Sequence, residues 1–118
     1  MYIVKFTDHG LADVKSLPKN VRNALKKEFE KKLMIDPKGC SEPLHGVLAG
    51  WFSFHYLEYR VIYKIFDDLK AIGVVGVGKH DADASADIYR KLEVLAKTGK
   101  LAESVLSTFR GFSIAPPH

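Results

Sequence analysis

The chain is poor in cysteine, with Cys40 alone in 118 residues. One thiol closes no intramolecular disulfide and builds no cysteine-based zinc site, so a reducing compartment is implied and the cytoplasm is the expected location. Long apolar runs are missing as well, since none approaches the ~18 residues that a membrane span needs. Met1 to Phe6 holds no basic stretch leading into an apolar one, so neither secretion nor membrane insertion is expected. Five prolines and nine glycines are too few for a collagen-like or low-complexity chain, and 47% hydrophobic content excludes global disorder. A length of 118 residues holds one core and leaves no room for two independent domains. Also absent are a Walker loop, a dinucleotide fingerprint, a His-Glu-x-x-His zinc motif and a Gly-x-Ser-x-Gly elbow. Simple motif reading for nucleotide, zinc and serine-hydrolase chemistry ends there.

What is present is a small positive surplus, unevenly placed. The net charge is +4, and residues 1–40 carry all of it, with nine Lys/Arg against five Asp/Glu; the two later thirds are balanced. Most of the surplus lies on Lys19, Arg22, Lys26, Lys27, Lys31 and Lys32, inside one expected helix. Such a face can meet phosphates or an acidic partner protein. A solvated helix kept soluble by lysines gives the same pattern.

Periodicity supplies the order of elements. Residues 2–6 alternate in a β-rich run, and Thr7 to Gly10 offers an N-cap for a short helix reaching about Leu17. After the turn at Pro18, Val21, Leu25, Phe29 and Leu33 recur every four residues, predicting a long amphipathic helix that stops before Asp36-Pro37. Lys38 to Pro43 reads as a loop and Leu44 to Gly50 as irregular chain. Trp51–Tyr56, Arg60–Phe66 and Ala71–Gly78 are rich in aromatic and β-branched residues and read as an antiparallel meander, turning near Leu57-Glu58 and at Asp67–Lys70. The third run is apolar at both parities, as a central strand should be, although its glycines weaken that reading. Asp81, Asp83 and Ser85 offer caps for a helix with Ile88, Leu92 and Leu95 on its apolar face. Past Thr98-Gly99, Leu101, Val105 and Phe109 keep helical spacing, and the tail from Gly111 to His118 has no periodicity. The order β-α-α-β-β-β-α-α implies an α+β fold: a mainly antiparallel twisted sheet, two early helices on one face, and an extra C-terminal helix.

The residues able to carry chemistry gather at strand ends: His55, Tyr59-Arg60, Lys64, Lys79-His80 and, on the next helix, Tyr89. Alternation puts Val61, Tyr63 and Ile65 on one face of their strand and Arg60, Ile62 and Lys64 on the other. If the second and third meander strands pair antiparallel through the Asp67–Lys70 turn, Arg60 and His80 come close. A guanidinium grips a phosphate bidentately and stabilises charge building on its oxygens, while a histidine with an ordinary pKa of ~6.5 moves protons at neutral pH. A tyrosine hydroxyl or a second histidine can orient the nucleotide or carry the other proton. Cleaving RNA this way needs no metal, because the ribose 2′-OH is an internal nucleophile. The same residues fit a structural Tyr-Arg pair at a sheet edge and a surface histidine beside Asp81.

Set in order, these segments resemble toxins of the RelE/ParE superfamily from bacterial toxin–antitoxin modules. The likeness spans about residues 2–92 and rests on the first strand and the helix leading to Ser16-Leu17-Pro18, Asp36-Pro37, Leu44-His45-Gly46, Tyr59-Arg60-Val61-Ile62-Tyr63-Lys64-Ile65 and Val75-Gly76-Val77-Gly78-Lys79-His80. It implies one toxin domain over 1–118, with about 95–118 an extension past the usual end. RelE-like members cut mRNA in the ribosomal A site, whereas ParE-like members poison DNA gyrase. Cleaving members use an arginine matching Arg60, a basic or imidazole residue matching His80, and a tyrosine or histidine that Tyr89 matches. His55, with Trp51 and Ser53, stands where RelE has lysines. The expected activity is a metal-independent mRNA interferase without cofactor, with Lys79, Lys64, Lys26 and Lys27 on RNA. The expected partners are the ribosome, mRNA and a cognate antitoxin held in a hetero-oligomer, and the alternatives are a gyrase poison or a degenerate antitoxin-binding module.

Overall fold

The computed structural model describes residues 1–81 and 87–109, so the expected caps Asp83 and Ser85 and the tail lie outside the described residues. The chain opens with β1 (Ile3–Phe6), α1 (Asp8–Ser16) and α2 (Lys19–Glu28), the last running on into a π-helical turn over Phe29–Leu33. A two-residue strand, β2 (Glu42–Pro43), follows. Then come β3 (Phe52–Tyr56), β4 (Tyr59–Phe66), β5 (Ala71–Lys79), α3 (Ile88–Lys97) and α4 (Lys100–Phe109). This is the expected α+β order with one strand added. β2 lies in a segment read as a loop; it pairs antiparallel with β3, Glu42 opposite Ser53 and Pro43 opposite Phe52. Two residues are too few to leave an alternating pattern in sequence.

The strands form one sheet in the order β1-β5-β4-β3-β2, antiparallel except for β1, which runs parallel to β5 from Ile3 opposite Ala71 to Phe6 opposite Val74. Beyond Val74 this edge of β5 has no strand partner among the described residues, and α1 lies along it. Thr7 begins this contact: its N–H donates to the Val74 carbonyl at 3.0 Å, and its Oγ1 accepts the Gly10 N–H at 3.0 Å as the helix cap. One turn on, Asp13 Oδ2 accepts the Val77 N–H at 3.0 Å. A strand-edge donor is satisfied by a helix side chain, which answers the requirement that buried backbone groups be paired.

Each face of the sheet has its own core. On the first, Leu25, Phe29 and Leu33 from the α2 region pack on Phe54, Val61, Tyr63, Ile72, Val74 and Val77, with Val14 and Leu17 of α1 joining at the margin. The four-residue spacing read from sequence is thus the buried stripe. On the second face, α3 and α4 bring Ile88, Leu92, Leu101 and Val105 onto Trp51, Ile62 and Val75. The glycines of β5 explain how α3 gets there. A Cβ on Gly76 would stand 3.2 Å from Ile88 Cδ1 and from both Leu92 methyls, and one on Gly78 3.4 Å from Ile88. Pairing slips between Ile62 opposite Gly76 and Tyr63 opposite Val74, leaving Val75 as a bulge residue on the face that α3 covers.

Gly76→Val should therefore force α3 outward. We expect a loss of about 1–3 kcal/mol in urea unfolding, the usual range for overpacking, despite valine's better strand propensity; an unchanged midpoint would show that α3 does not sit tightly here.

Candidate functional site

Register assembles the site. Arg60, second residue of β4, faces His55 of β3 on one side and Gly78 of β5 on the other. The next step along β5 pairs Lys79 with Tyr59, and the His80 N–H then donates to the Glu58 carbonyl at 3.0 Å. Two imidazole-bearing chain segments thus flank one guanidinium-bearing strand, at the end of the sheet where β3 turns into β4. Tyr89 reaches the same face from the first turn of α3. Its hydroxyl is 2.8 Å from Ser53 Oγ on β3, and its ring meets His80 edge-on with centroids 4.9 Å apart. All four residues expected to carry chemistry meet on the α3 face.

The cations separate. Lys64 shares the face of Arg60 but stands four residues, two pleat repeats, further along β4, its Nζ 5.2 Å from the Trp51 ring centroid. There it lines a small apolar cleft with Ala102, Val105 and Leu106 of α4. Lys79 alternates to the other face, over the Tyr59 ring and 3.6 Å from Glu58. Lys26 and Lys27 are exposed on α2, the helix packed on the opposite face of the sheet from His80.

Arg60 is partly committed to structure. Its Nη1 donates to the carbonyls of Leu57 and Tyr59, each at 2.9 Å, clamping a turn in which Leu57 holds φ at 54°. Its Nε is buried and has no partner among the described residues. An unpaired buried donor is uncommon and invites a ligand or water. His55 lies next to this guanidinium. Burial first, then the charge of Arg60, lowers its pKa, and Glu42, 3.9 Å from its Nε2, pulls the other way. The site therefore favours a neutral His55.

Two contributors escaped the sequence reading. Ser53 was named only as standing where RelE has lysines, with no partner foreseen for it. Asp87, and not Asp81, Asp83 or Ser85, is the N-cap of α3: its Oδ2 accepts the Arg90 N–H at 3.2 Å, and Oδ1 accepts the Asp81 N–H at 2.9 Å. It stands immediately before Ile88, the first residue of the apolar stripe, and that position was the available signal. Asp87 also lies 2.7 Å from His80 Nδ1. Burial alone would push its carboxyl up, but the contacts with His80, Asp81 and Arg90 outweigh it and hold the group below the usual carboxylate range.

Comparison with known proteins identifies the family. Residues 4–84 match the sequence model of the family described as ParE toxin of type II toxin–antitoxin system, parDE. The chain belongs to the RelE/ParE superfamily of type II toxins. Toxin RelG of Mycobacterium tuberculosis is 32% identical over 90 residues, which cover 76% of this chain and 98% of that protein. Among solved structures, the RelBE2 toxin–antitoxin complex of the same organism aligns with a TM-score of 0.63 at 30% identity, over 70% of this chain and 93% of that one. Isolated RelE of Escherichia coli aligns at TM-score 0.59 and 20% identity over 83% and 99%, a likeness of fold. The family model ends at residue 84, before Asp87, Tyr89 and α4 of this RelE/ParE toxin.

The electrostatics of the site are open to measurement. In an NMR titration His55 should reach its midpoint below the ordinary 6.5. Arg60→Gln should raise that midpoint, because a repelling charge is gone, and Glu42→Gln should lower it further; a midpoint indifferent to Arg60 would deny that the two groups interact.

Proposed function

We propose that this toxin is a ribosome-dependent mRNA endonuclease acting by metal-independent transesterification. The observation that supports it is Arg60 placed between His55 and the segment carrying His80. Neutral His55 accepts the proton of a ribose 2′-OH as O2′ attacks the adjacent phosphorus. Arg60 stabilises the charge that builds on the phosphoryl oxygens. His80 gives a proton to the departing 5′-oxygen, leaving a 2′,3′-cyclic phosphate and a free 5′-OH. Tyr89, anchored on Ser53, offers its ring to a nucleobase. Exposed α2 lysines, remote from the chemistry, serve docking to ribosomal RNA or to an acidic antitoxin segment. An antitoxin partner follows from the relatives, two of which were solved as toxin–antitoxin complexes.

A second reading has its own support. The matched family model is that of ParE, and ParE-like toxins poison gyrase without nuclease chemistry. On that reading the Arg60 clamp on Leu57 and Tyr59 is the whole of its role.

Primer extension on messages from cells expressing the toxin alone separates the two. Discrete cuts within translated codons support the nuclease, and intact messages with a DNA-damage response support the gyrase poison. His80→Ala and Arg60→Lys should each cut the cleavage rate by about 10²-fold or more and relieve growth arrest while circular dichroism stays unchanged. Full toxicity in both folded variants would sink the nuclease assignment.

A further inference from the structure

We propose that Asp87 is a positioning residue for His80, fixing its imidazole as the Nδ1–H tautomer and leaving Nε2 for proton exchange; the catalytic consequence rests on the nuclease reading, whereas the tautomer does not. Three donors converge on this one carboxylate. Oδ1 receives the His80 ring nitrogen at 2.7 Å and the Asp81 N–H at 2.9 Å, and Oδ2 receives the Arg90 N–H at 3.2 Å. A carboxylate only accepts, so the His80 nitrogen facing it must carry hydrogen. The contact is formed at a well-buried carboxylate, whose side chain is 12% exposed against 54% for His80, where water competes little for the carboxylate.

Capping α3 does not by itself require this arrangement. The cap needs one oxygen on the Arg90 N–H, and serine or asparagine supplies that as well as aspartate does. A second accepting oxygen, shared by the Asp81 N–H and His80, is what only a carboxylate provides. An amide whose oxygen keeps the cap turns its NH₂ toward His80 and the Asp81 N–H. His80 Nδ1 must then accept, and the proton moves to Nε2. Asp87 thus sets two groups together: the helix start that carries Tyr89, and the ring against which Tyr89 packs edge-on. A carboxylate that holds one ring nitrogen of a histidine, and so selects its tautomer, is a known way to govern proton transfer.

The test uses Asp87→Asn and Asp87→Ser, both able to cap α3, in the full-length toxin. Long-range ¹H–¹⁵N spectra of the neutral His80 ring report which nitrogen is protonated. Wild type should show Nδ1–H, Asp87→Asn should show Nε2–H, and Asp87→Ser, too short to reach the ring, should show a mixture. On programmed ribosomes kcat should fall by on the order of 10²-fold in both variants with KM little changed, and urea midpoints should stay close to wild type. An Nδ1–H tautomer retained in Asp87→Asn overturns the proposal, and so does a switched tautomer with wild-type kcat. Should wild type cut no message at all, the nuclease reading falls, while the spectra still decide whether Asp87 positions His80.

Discussion

Everything on the functional face depends on side chains that are not there. Gly76 and Gly78 leave β5 bare where α3 crosses it, and the helix settles until Ile88 and Leu92 stand at the limit of contact. Only at that depth can the first turn of α3 place the Tyr89 hydroxyl on Ser53 and the Asp87 carboxylate on His80. A helix held off by even one methyl layer would carry Tyr89 away from β3. In a close-packed interior such a layer has nowhere to go. The glycines that weaken β5 as a strand are thus what allows a helix residue to share a site with three strands, and the Val75 bulge adds apolar surface on the same side.

The sheet also divides the molecule's tasks. One face is closed by the α2 region, whose outer surface carries the lysines responsible for the net positive charge. The other face holds Arg60, His55, His80 and Tyr89, where charge is used sparingly and mostly neutralised or clamped. Lys64 rests on Trp51 beside α4, and the Arg60 guanidinium is held on the carbonyls of Leu57 and Tyr59. Charge count therefore says where a polyanion or an acidic chain would be drawn, while the arrangement of a few side chains around Arg60 is what the proposed chemistry rests on. α4, beyond the span of the family model, seals the Trp51 end with Leu101 and Val105, while the first turn of α3 packs at the His80 end.

How much of this was legible follows from the range of each signal. Strands β1, β3, β4 and β5 and the buried stripe of α2 declare themselves by periodicity, which depends only on near neighbours. The approach of Arg60 to His80 was readable because a short turn between two strands fixes their register. Asp87 and Ser53 were not read, since their roles arise from how closely α3 packs, a tertiary fact with no local pattern. β2 is held by two pairs to β3, and two residues are too few to show alternation. The hydrogen bonds by which Thr7 and Asp13 join α1 to the edge of β5 come from single side chains and backbone groups, which carry no periodic signal.

Arg60 shows why fold and chemistry cannot be assigned to separate residues here. A leucine at φ 54° sits in a conformation that costs about 1–2 kcal/mol relative to the right-handed region, so the Leu57 turn needs something to hold it. The Arg60 Nη1, donating to Leu57 and Tyr59, supplies that hold. The same contacts fix the guanidinium plane and leave Nε enclosed, without an acceptor among the described residues, a state that costs about 1–3 kcal/mol for a polar group. The strained turn and the clamped arginine are therefore one arrangement: the guanidinium proposed to meet a phosphate also holds the turn between β3 and β4, so a substitution at Arg60 cannot touch one task without the other.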